Sequence, residues 1–382
     1  MSRFFLCFLL GACAPEFLPT PDEAPHGNDH ASPDSTLVGA DGGVGEPMCP
    51  PFSHPGDAGC TSTIAWSDQT KGPPARDHHL TFVVATDHGG TLYVTGGIDE
   101  PARSARNDLW SAMLSPSGEV SPWVRGPAPL VFQTGSALAS VGARTYVLGG
   151  KTVVGGRIGF TTEVTSLEVS HTGLPLGWRR ERPLPAPHFH ASGHGFERWV
   201  YVIGGLNVSA GLATTEVLRA EVLADGDLGP WATVSTLPEP RTHHSSVIVG
   251  RRLFVFSGID GSGIGFDPMD YRDGLVTTID AEGNLGPWAR FELPFASVAG
   301  SATVVGRAVY VVGGLENLVP TGTVWRAELR GDTLGPFSLS SALPFARAHV
   351  HHTPAWRQFI YSVGGNTGNH VAVDRVLRGV VE

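Results

Sequence analysis

The dominant pattern in this sequence is a short apolar run that ends in two small residues. The run occurs six times, at residues 93–97, 146–150, 201–205, 254–258, 310–314 and 361–365. Measured between the first small residues of successive runs, the spacings are 53, 55, 53, 56 and 51 residues. Self-similarity at such a period indicates a repeat protein, in which each copy is one supersecondary unit.

One copy, residues 241–291, carries the signals of four short strands. Residues 245–250 form a β-branched run, 253–256 and 275–279 are further apolar runs, and Trp288 opens a fourth strand after a turn. β-branched and aromatic residues favour strands, whereas Gly, Asp and Asn mark the turns between them. Four short strands per copy, without a helical period, predict an all-β chain built of β-propeller blades.

A second marker, an aromatic residue after a turn, runs in phase with the first. Its six positions are Trp66, Trp123, Trp178, Trp231, Trp288 and Phe337. Trp66 therefore marks a fourth strand that precedes the first blade, while residues 371–381 form a third strand with no fourth strand after it. We expect residues 62–69 to complete the last of six blades, because closing the ring removes both open sheet edges.

These features together resemble the kelch repeat. The six apolar runs and the aromatic marker carry the resemblance, and Arg-x-x-His precedes the first strand in two copies, Arg76 to His79 and Arg241 to His244. The resemblance covers residues 62–382 and implies a six-bladed kelch-type β-propeller. Propellers of this kind commonly recognise proteins or glycans through their loops, so the resemblance also implies a binding function.

Composition and charge exclude several classes of protein. Hydrophobic residues make up 41% of the 382 residues and charged residues only 16%, so most of the chain can bury a core. The net charge of −10 argues against a nucleic-acid-binding protein, which should be basic. Residues 14–60 carry eight carboxylates and no lysine or arginine, whereas residues 61–382 carry 28 acidic and 25 basic side chains.

The N-terminus has the pattern of a bacterial lipoprotein precursor. Arg3 precedes the short apolar stretch 4–10, and Leu10-Gly11-Ala12-Cys13 resembles a lipobox, in which the cysteine is lipidated. We therefore predict a signal peptide over residues 1–12 and lipidation at Cys13; an ordinary signal peptide with an incidental cysteine is the alternative. Residues 13–48, rich in Pro, Gly, Asp and Ser, are expected to form an extended acidic linker.

Two further cysteines lie between this linker and the repeats. Cys49 and Cys60 would meet oxidising conditions in an exported chain, which favours a disulfide loop over residues 49–60. Two free thiols are the alternative. The predicted propeller, residues 61–382, contains no cysteine. Galactose oxidase is a kelch-type propeller whose copper-radical site needs a cysteine bonded to tyrosine. That chemistry is therefore excluded here.

Candidate chemistry gathers at one predicted face of the ring, where first-strand entries meet the loops after each glycine pair. Ten of the sixteen histidines fall at or within the first strands: His78, His79, His188, His190, His194, His243, His244, His349, His351 and His352. Carboxylates recur at the start of the third strand: Asp108, Glu163, Glu216 and Asp273. Either these groups form a pocket for a sugar or a divalent metal, or the acids pair with Arg76, Arg241 and Arg347 and tie the blades together.

The binding residues selected from this face are irregular between blades or lie in the longest loop. They are His79, His190, His244, His351, Asp260, Asp267 and Tyr271. Residues that differ between otherwise regular blades favour recognition. Structural joints must be the same in every blade, whereas a ligand without sixfold symmetry contacts different residues in different blades. No metal ligand set, cofactor or catalytic residue is assigned, and no HExxH, GxSxG or P-loop motif is present.

Two functions are compatible with these features. The favoured one is a non-enzymatic binding module, anchored at the bacterial outer membrane or cell surface, which recognises a protein or glycan with its strand-entry and glycine-pair loops. The alternative is a periplasmic or surface enzyme that acts on carbohydrate, by resemblance to the kelch-type sialic-acid mutarotase, since sugar ring opening needs only a placed acid and base. In both cases we expect a monomer that contacts the membrane only through its lipid and does not bind nucleic acid.

Overall fold

The structure is a computed structural model that describes residues 54–56, 59–61, 63–87, 89–99, 104–154, 157–207, 212–261, 270–368 and 371–382. In these ranges the chain forms strands and connecting segments and no helix. The described residues therefore contain no helix that could cross a membrane. The predicted signal peptide and linker, with Cys13 and Cys49, lie outside the described residues. The structure describes the Cys60 backbone but not its side chain, so the disulfide stays a prediction.

Six antiparallel sheets of four strands each form a six-bladed β-propeller, which confirms the predicted fold class. The innermost strands are Leu80–Thr86, Ala137–Val141, Ser192–Phe196, Ser245–Val249, Ser301–Val305 and Ala355–Trp356. The second strands are Gly89–Thr95, Arg144–Leu148, Trp199–Ile203, Arg252–Phe256, Ala308–Val312 and Phe359–Val363. The third strands are Leu109–Leu114, Val164–Val169, Glu216–Glu221, Asp273–Thr278, Val324–Arg330 and Val376–Val381. The outermost strands are Val124–Arg125, Pro175–Arg180, Ala232–Thr236, Ala289–Glu292, Thr333–Leu339 and Ile64–Asp68.

Short two-stranded hairpins supplement the blades. Four of them project from the loops between second and third strands: Ile98–Asp99 with Ser104–Ala105, Lys151–Val154 with Arg157–Phe160, Leu206–Asn207 with Leu212–Ala213, and Leu315–Glu316 with Val319–Pro320. A fifth, His54–Gly56 with Gly59–Thr61, precedes the ring. The four loop hairpins all lie on the same face of the propeller, because each connects a second strand to a third strand.

The ring closes where the sequence predicted. The outermost strand of the last blade is Ile64–Asp68, which pairs antiparallel with Val376–Val381, and Ile64 lies opposite Val381. The chain thus enters the ring at the end of a third strand, on the face opposite the loops that follow the glycine pairs. The strand Ile64–Asp68 thus gives the last blade its fourth strand, and the third strand, Val376–Val381, is not left as an open edge.

The hydrophobic core lies between blades rather than within them. Six clusters of buried residues each combine side chains of two adjacent sheets; one, for example, contains Ala137 and Tyr146 of the second blade with Val200 and Leu218 of the third. A β-sheet can bury its apolar faces only against another layer. Each blade is therefore stabilised by both of its neighbours.

Each second strand ends in a pair of small residues, and the backbone of the second residue of the pair lies close to the innermost strand of its own blade and to the next blade. Gly97 has φ +89°, and a Cβ there would lie 2.6 Å from the Asp77 carbonyl oxygen. Its amide donates to the Gln133 carbonyl of the next blade, and the equivalent Gly205 amide donates to the Arg241 carbonyl. Glycine is needed here because a side chain would collide with the backbone.

Two of the recurring carboxylates pair with buried arginines, as one of the two interpretations expected. Arg76 binds Asp108 through both carboxylate oxygens, at 2.6 and 3.1 Å, and Arg241 binds Asp273 at 2.7 and 2.8 Å. The backbone of each arginine also bonds to the preceding blade, because the Gly365 amide donates to the Arg76 carbonyl at 2.9 Å and the Gly205 amide to the Arg241 carbonyl at 2.8 Å. The two pairs therefore link neighbouring blades, as that interpretation expected. Arg347 instead donates to the Ser362 carbonyl and hydroxyl oxygens.

The turns between third and fourth strands join the blades on the other face. Tyr93, Tyr146, Tyr201 and Tyr361 of the second strands donate their hydroxyls to glycine carbonyls in the adjacent blade, at Gly173, Gly226, Gly283 and Gly118, over 2.5–2.8 Å. Each of these glycines has a positive φ. The turns are nearly copies of one another because each makes the same joint.

Candidate functional site

The entries to the innermost strands and the loops after the glycine pairs lie on one face, which we call the mouth face. Six equivalent antiparallel bridges hold them together: Asp77 with Ile98, Thr134 with Lys151, Phe189 with Leu206, Thr242 with Ile259, Val298 with Leu315, and Ala348 with Asn366. The strand order of an antiparallel blade requires this arrangement. Loops of different length and sequence therefore surround the end of the propeller axis.

Immediately after each bridge, one residue adopts the left-handed backbone conformation. The six residues are His78, Gly135, His190, His243, Ala299 and His349, with φ between 52° and 59°. A side chain in this region costs about 1–2 kcal/mol relative to an ordinary conformation, and glycine avoids the cost. Gly135 shows that glycine fits the position, yet four of the six positions carry histidine.

The same six residues form a closed ring of backbone hydrogen bonds around the axis. Each amide donates to the carbonyl of the preceding blade's residue; His190 donates to Gly135 at 2.9 Å, and His78 donates to His349 at 3.1 Å across the seam. All six N···O distances lie between 2.8 and 3.1 Å. The ring fixes the positions from which the four imidazoles project.

These four imidazoles and that of His351 form one group, the histidine cluster. His78 and His349 stack with ring centroids 4.3 Å apart, and His190 and His243 stack at 3.8 Å. The His351 ring lies 4.6 Å from His190 and 5.6 Å from His78. Five imidazoles thus meet at the mouth-face end of the propeller axis.

Three rings of the cluster, those of His190, His243 and His351, are held in the neutral state. Burial, followed by the charges of neighbouring imidazoles, lowers the pKa values of His190, His243 and His351 well below the usual 6.5. Near pH 7 each of these rings therefore has one protonated nitrogen and one nitrogen with a free lone pair. Neutral imidazoles can act as hydrogen-bond donors, acceptors or metal ligands.

A buried carboxylate supports one edge of the cluster. Asp77 is fully buried, and its Oδ1 lies 2.8 Å from His78 Nδ1, while Asn366 donates to its Oδ2 at 3.2 Å. Burial raises the pKa of Asp77, but the His78 and His349 rings and the Asn366 amide outweigh burial and lower it below 3.8. The Asp77 carboxylate accepts a hydrogen bond from the Nδ1–H group of His78, which leaves the lone pair of His78 on Nε2.

Behind the cluster lies an axial cavity of about 260 Å³, walled by the innermost strands. His351 borders both the cavity and the cluster. Two further histidines in the wall bridge the third and fourth blades: Ser192 bonds His244 Nε2 at 2.9 Å, and Ser246 bonds His194 Nε2 at 2.7 Å. Hydroxyls and imidazoles supply the polar groups of this wall, and its lining contains no carboxylate.

The structure brings together two of the seven selected binding residues. His190 and His351 lie in the histidine cluster, whereas His79, 1% exposed, packs against the glycine pair of the last blade. His244 lines the cavity wall instead. Burial, and then the Arg76 charge, lower the pKa of His79 to about 3, which is typical of a histidine packed in a core.

The remaining selected residues belong to the long loop of the fourth blade. Tyr271 packs its ring on the buried Arg241 guanidinium, 4.1 Å from the ring centroid, and its amide bonds the Gly258 carbonyl. Tyr271 therefore supports the loop base. Asp260 is half-buried at the same base, and Asp267 lies outside the described residues.

The binding residues predicted from the sequence do not include His78, His243 or His349, although all three are among the ten histidines of the first strands. Each follows the buried Arg76, Arg241 or Arg347 by two positions, and His190 follows His188 in the same way. This offset, rather than residue type, identifies the side chains that reach the axis. It was available in the sequence.

Comparisons with known proteins bear on the fold. No family model and no curated protein matches the chain. A solved structure of YjhT is similar, with a TM-score of 0.62 and 14% sequence identity over 81% of this chain and 95% of that one. At that identity the similarity supports the propeller architecture alone.

Proposed function

We propose that the chain is a surface-anchored, non-enzymatic binding module of the kelch type, which recognises a protein or a glycan with its mouth face. The observation that carries this proposal is the polarity of the propeller. The variable loops lie on one face, while the chain enters the ring beside Val381, on the other. A lipid anchor at Cys13 would therefore direct the mouth face away from the membrane, at the outer membrane or cell surface.

The chemistry of the loop tips favours a protein ligand over a glycan. Five aliphatic side chains at these loops are 46–63% exposed: Val153, Leu212, Leu318, Val319 and Val371. Exposed apolar groups rimmed by polar ones are typical of protein-binding surfaces. Sugars pack on aromatic rings, but on this face Lys151 covers the rings of Phe160 and Phe189, with its Nζ 4.9 and 4.0 Å from their centroids.

The other face is occupied by joints. Its turns supply the carbonyls that the tyrosine hydroxyls bind, so their sequences are constrained by the fold. The loops after the glycine pairs differ between blades in length and sequence. Loops on a rigid scaffold are where recognition is usually found.

The proposal is tested by immobilising the chain through its N-terminus and measuring ligand capture by matched surface variants. Leu212→Ser with Leu318→Ser and Val319→Ser should abolish the capture of specific cell-surface proteins or arrayed glycans. Leu174→Ser with Leu176→Ser, side chains 64% and 62% exposed outside the mouth face, is the control and should capture normally. Loss in the control but not in the mouth-face variant would reject the assignment of the face.

A carbohydrate-acting enzyme of the mutarotase or epimerase type is the second candidate, and the axial cavity favours it. A cavity of about 260 Å³ lined by imidazoles and hydroxyls offers paired proton donors and acceptors. Anomer exchange of free sugars, followed by NMR, should then be accelerated by the wild-type chain and lost in His244→Ala. Ligand capture without any such acceleration supports the binding module instead.

A further inference from the structure

The strongest unassigned feature of the molecule is the arrangement of three imidazoles at the mouth-face end of the axis. One ring nitrogen from each of His78, His349 and His351 can be chosen so that the three atoms lie within 4.8 Å of one another. A tetrahedral site with metal–nitrogen bonds of about 2.0–2.1 Å needs separations of roughly 3.3 Å. Small rotations of the side chains would provide this geometry.

We propose that His78, His349 and His351 bind one divalent first-row transition metal ion, of which Zn²⁺ is the representative. The ligands come from two blades and meet across the seam of the ring, since His78 belongs to the first blade and the other two to the last. Three imidazoles suit Zn²⁺, Co²⁺, Ni²⁺ or Cu²⁺ better than Mg²⁺ or Ca²⁺, which prefer oxygen ligands. Such a set leaves a coordination position for water or a ligand atom.

The surroundings of His78 match those of metal-binding histidines. Metal-bound imidazoles almost always donate their second nitrogen to a carboxylate or carbonyl, which fixes the tautomer and orients the ring. Asp77 accepts from His78 Nδ1 at 2.8 Å and is itself oriented by the Asn366 amide. His78 Nε2 is therefore the coordinating atom.

The charge balance of the site also favours a cation. The carboxylate of Asp77 is buried, its neighbour His78 donates a hydrogen bond to it, and among the described residues no lysine or arginine forms an ion pair with it. A buried carboxylate needs positive charge nearby. In addition, the buried Nε2 of His351, one of the three ligands, has no hydrogen-bond partner.

Two of the three proposed ligands lie in the ring of backbone hydrogen bonds around the axis. His78 and His349 hold left-handed conformations, with φ 53° and 56°, at positions where Gly135 shows that glycine fits. Side chains retained in a conformation that glycine adopts more easily indicate a function for those side chains. The same comparison makes glycine variants at these positions safe for folding.

The test uses the full chain, freed of metal with a chelator and then titrated with Zn²⁺ at pH 7.5 against a chromophoric competitor. Wild type should bind one equivalent with high affinity, and Co²⁺ should give the visible absorption of a four-coordinate site. His349→Gly should lose this equivalent. His243→Gly is the matched control, because it makes the same change at an equivalent ring position, φ 54°, outside the proposed ligands, and it should keep the equivalent.

Two readouts separate binding from folding. Saturating Zn²⁺ should raise the melting temperature of wild type and of His243→Gly but not of His349→Gly, because a ligand that binds only the folded state stabilises it. Asp77→Asn should weaken Zn²⁺ binding about 10–100-fold. The proposal is overturned if wild type has no saturable site, if His349→Gly binds as wild type does, or if His243→Gly loses binding equally. It does not depend on the proposed ligand-binding function, and failure of either leaves the other standing.

Discussion

The pair formed by Arg76 and Asp108 allows a quantitative test of how a blade is held together. The arginine is 1% and the aspartate 11% exposed at the side chain, and two hydrogen bonds join them at 2.6 and 3.1 Å. Arg76 also donates to the carbonyl oxygens of Pro74 and Gly96. Burial raises the pKa of Asp108, but Arg76 and the Trp110 indole outweigh it and lower the value below 3.8.

Asp108→Asn removes one charge and leaves the other buried without compensation. Breaking a buried pair in this way costs about 3–5 kcal/mol. At roughly 2–4 °C per kcal/mol for a domain of some hundreds of residues, the melting temperature should fall by about 6–20 °C. The carbonyl partners of Arg76 remain, so the lower half of this range is the expected result.

The control is an exposed ion pair in another blade. Arg198 and Glu221 lie 3.0 Å apart with side chains 53% and 45% exposed, and Glu221→Gln should cost less than about 1 kcal/mol. A second variant, Asp108→Asn with Arg76→Gln, removes both charges and places at position 76 the residue type of Gln133, which in the second blade donates to the Gly149 carbonyl at 3.0 Å. This double variant should recover much of the lost stability.

The measurement is equilibrium urea unfolding at pH 7.5, followed by tryptophan fluorescence, with slopes compared between variants to confirm that the denatured states are alike. The reasoning is refuted if Asp108→Asn loses no more stability than Glu221→Gln. It is equally refuted if the double variant is less stable than the single one, since that would assign the loss to packing rather than to an uncompensated charge.

Three further predictions concern acid, anchoring and closure. Burial lowers the pKa values of His194 and His244 to about 4 and about 3, so below pH 6.5 the unfolded chain binds more protons than the folded one. The free energy of unfolding should therefore be highest above pH 6.5 and should fall on acidification by up to about 1.4 kcal/mol per pH unit per histidine. In urea unfolding at pH 7.5 and pH 5, the variant His194→Asn with His244→Asn should lose less stability between the two pH values than wild type does. An equal loss contradicts the argument. A fatty-acid probe should label wild type in cells but not Cys13→Ala, and equal labelling would reject lipidation at that residue. Deleting residues 373–382 removes the third strand of the last blade, so we expect circular dichroism to show no cooperative unfolding transition; a retained transition near the wild-type temperature would show that closure is dispensable.

The fold could be predicted because the repeat determines it. The expected strands 245–250 and 253–256 are observed as Ser245–Val249 and Arg252–Phe256, and the expected closing segment 62–69 as Ile64–Asp68. Each repeat buries its faces only against its neighbours, so period and phase were sufficient to place every sheet. Closure followed from counting where the first and last markers fall.

The site could be predicted only in part, because neighbouring residues at the entry to an innermost strand direct their side chains differently, and the left-handed conformation at the ring positions sets that direction. His243 faces the axis, whereas the adjacent His244 lies in the wall and bonds Ser192. Residue type gave no means of separating the two. The ring positions also share no residue type, because histidine, glycine and alanine all occupy them, and only their two-residue offset from positions such as Arg76 and Arg241 marks them in the sequence.

The seam of the ring has a consequence for the order of assembly. Strand pairing within a blade joins residues tens of positions apart, but Ile64 must meet Val381 and the amide of His78 must meet the carbonyl of His349. Contacts between such distant residues form slowly, and until they form both edges of the nascent ring stay open. We therefore expect completion of the last blade to be a late step of folding. The stacked pair of His78 and His349, one imidazole from each side of the seam, can come together only after that step, so the state of the histidine cluster reports whether the ring has closed.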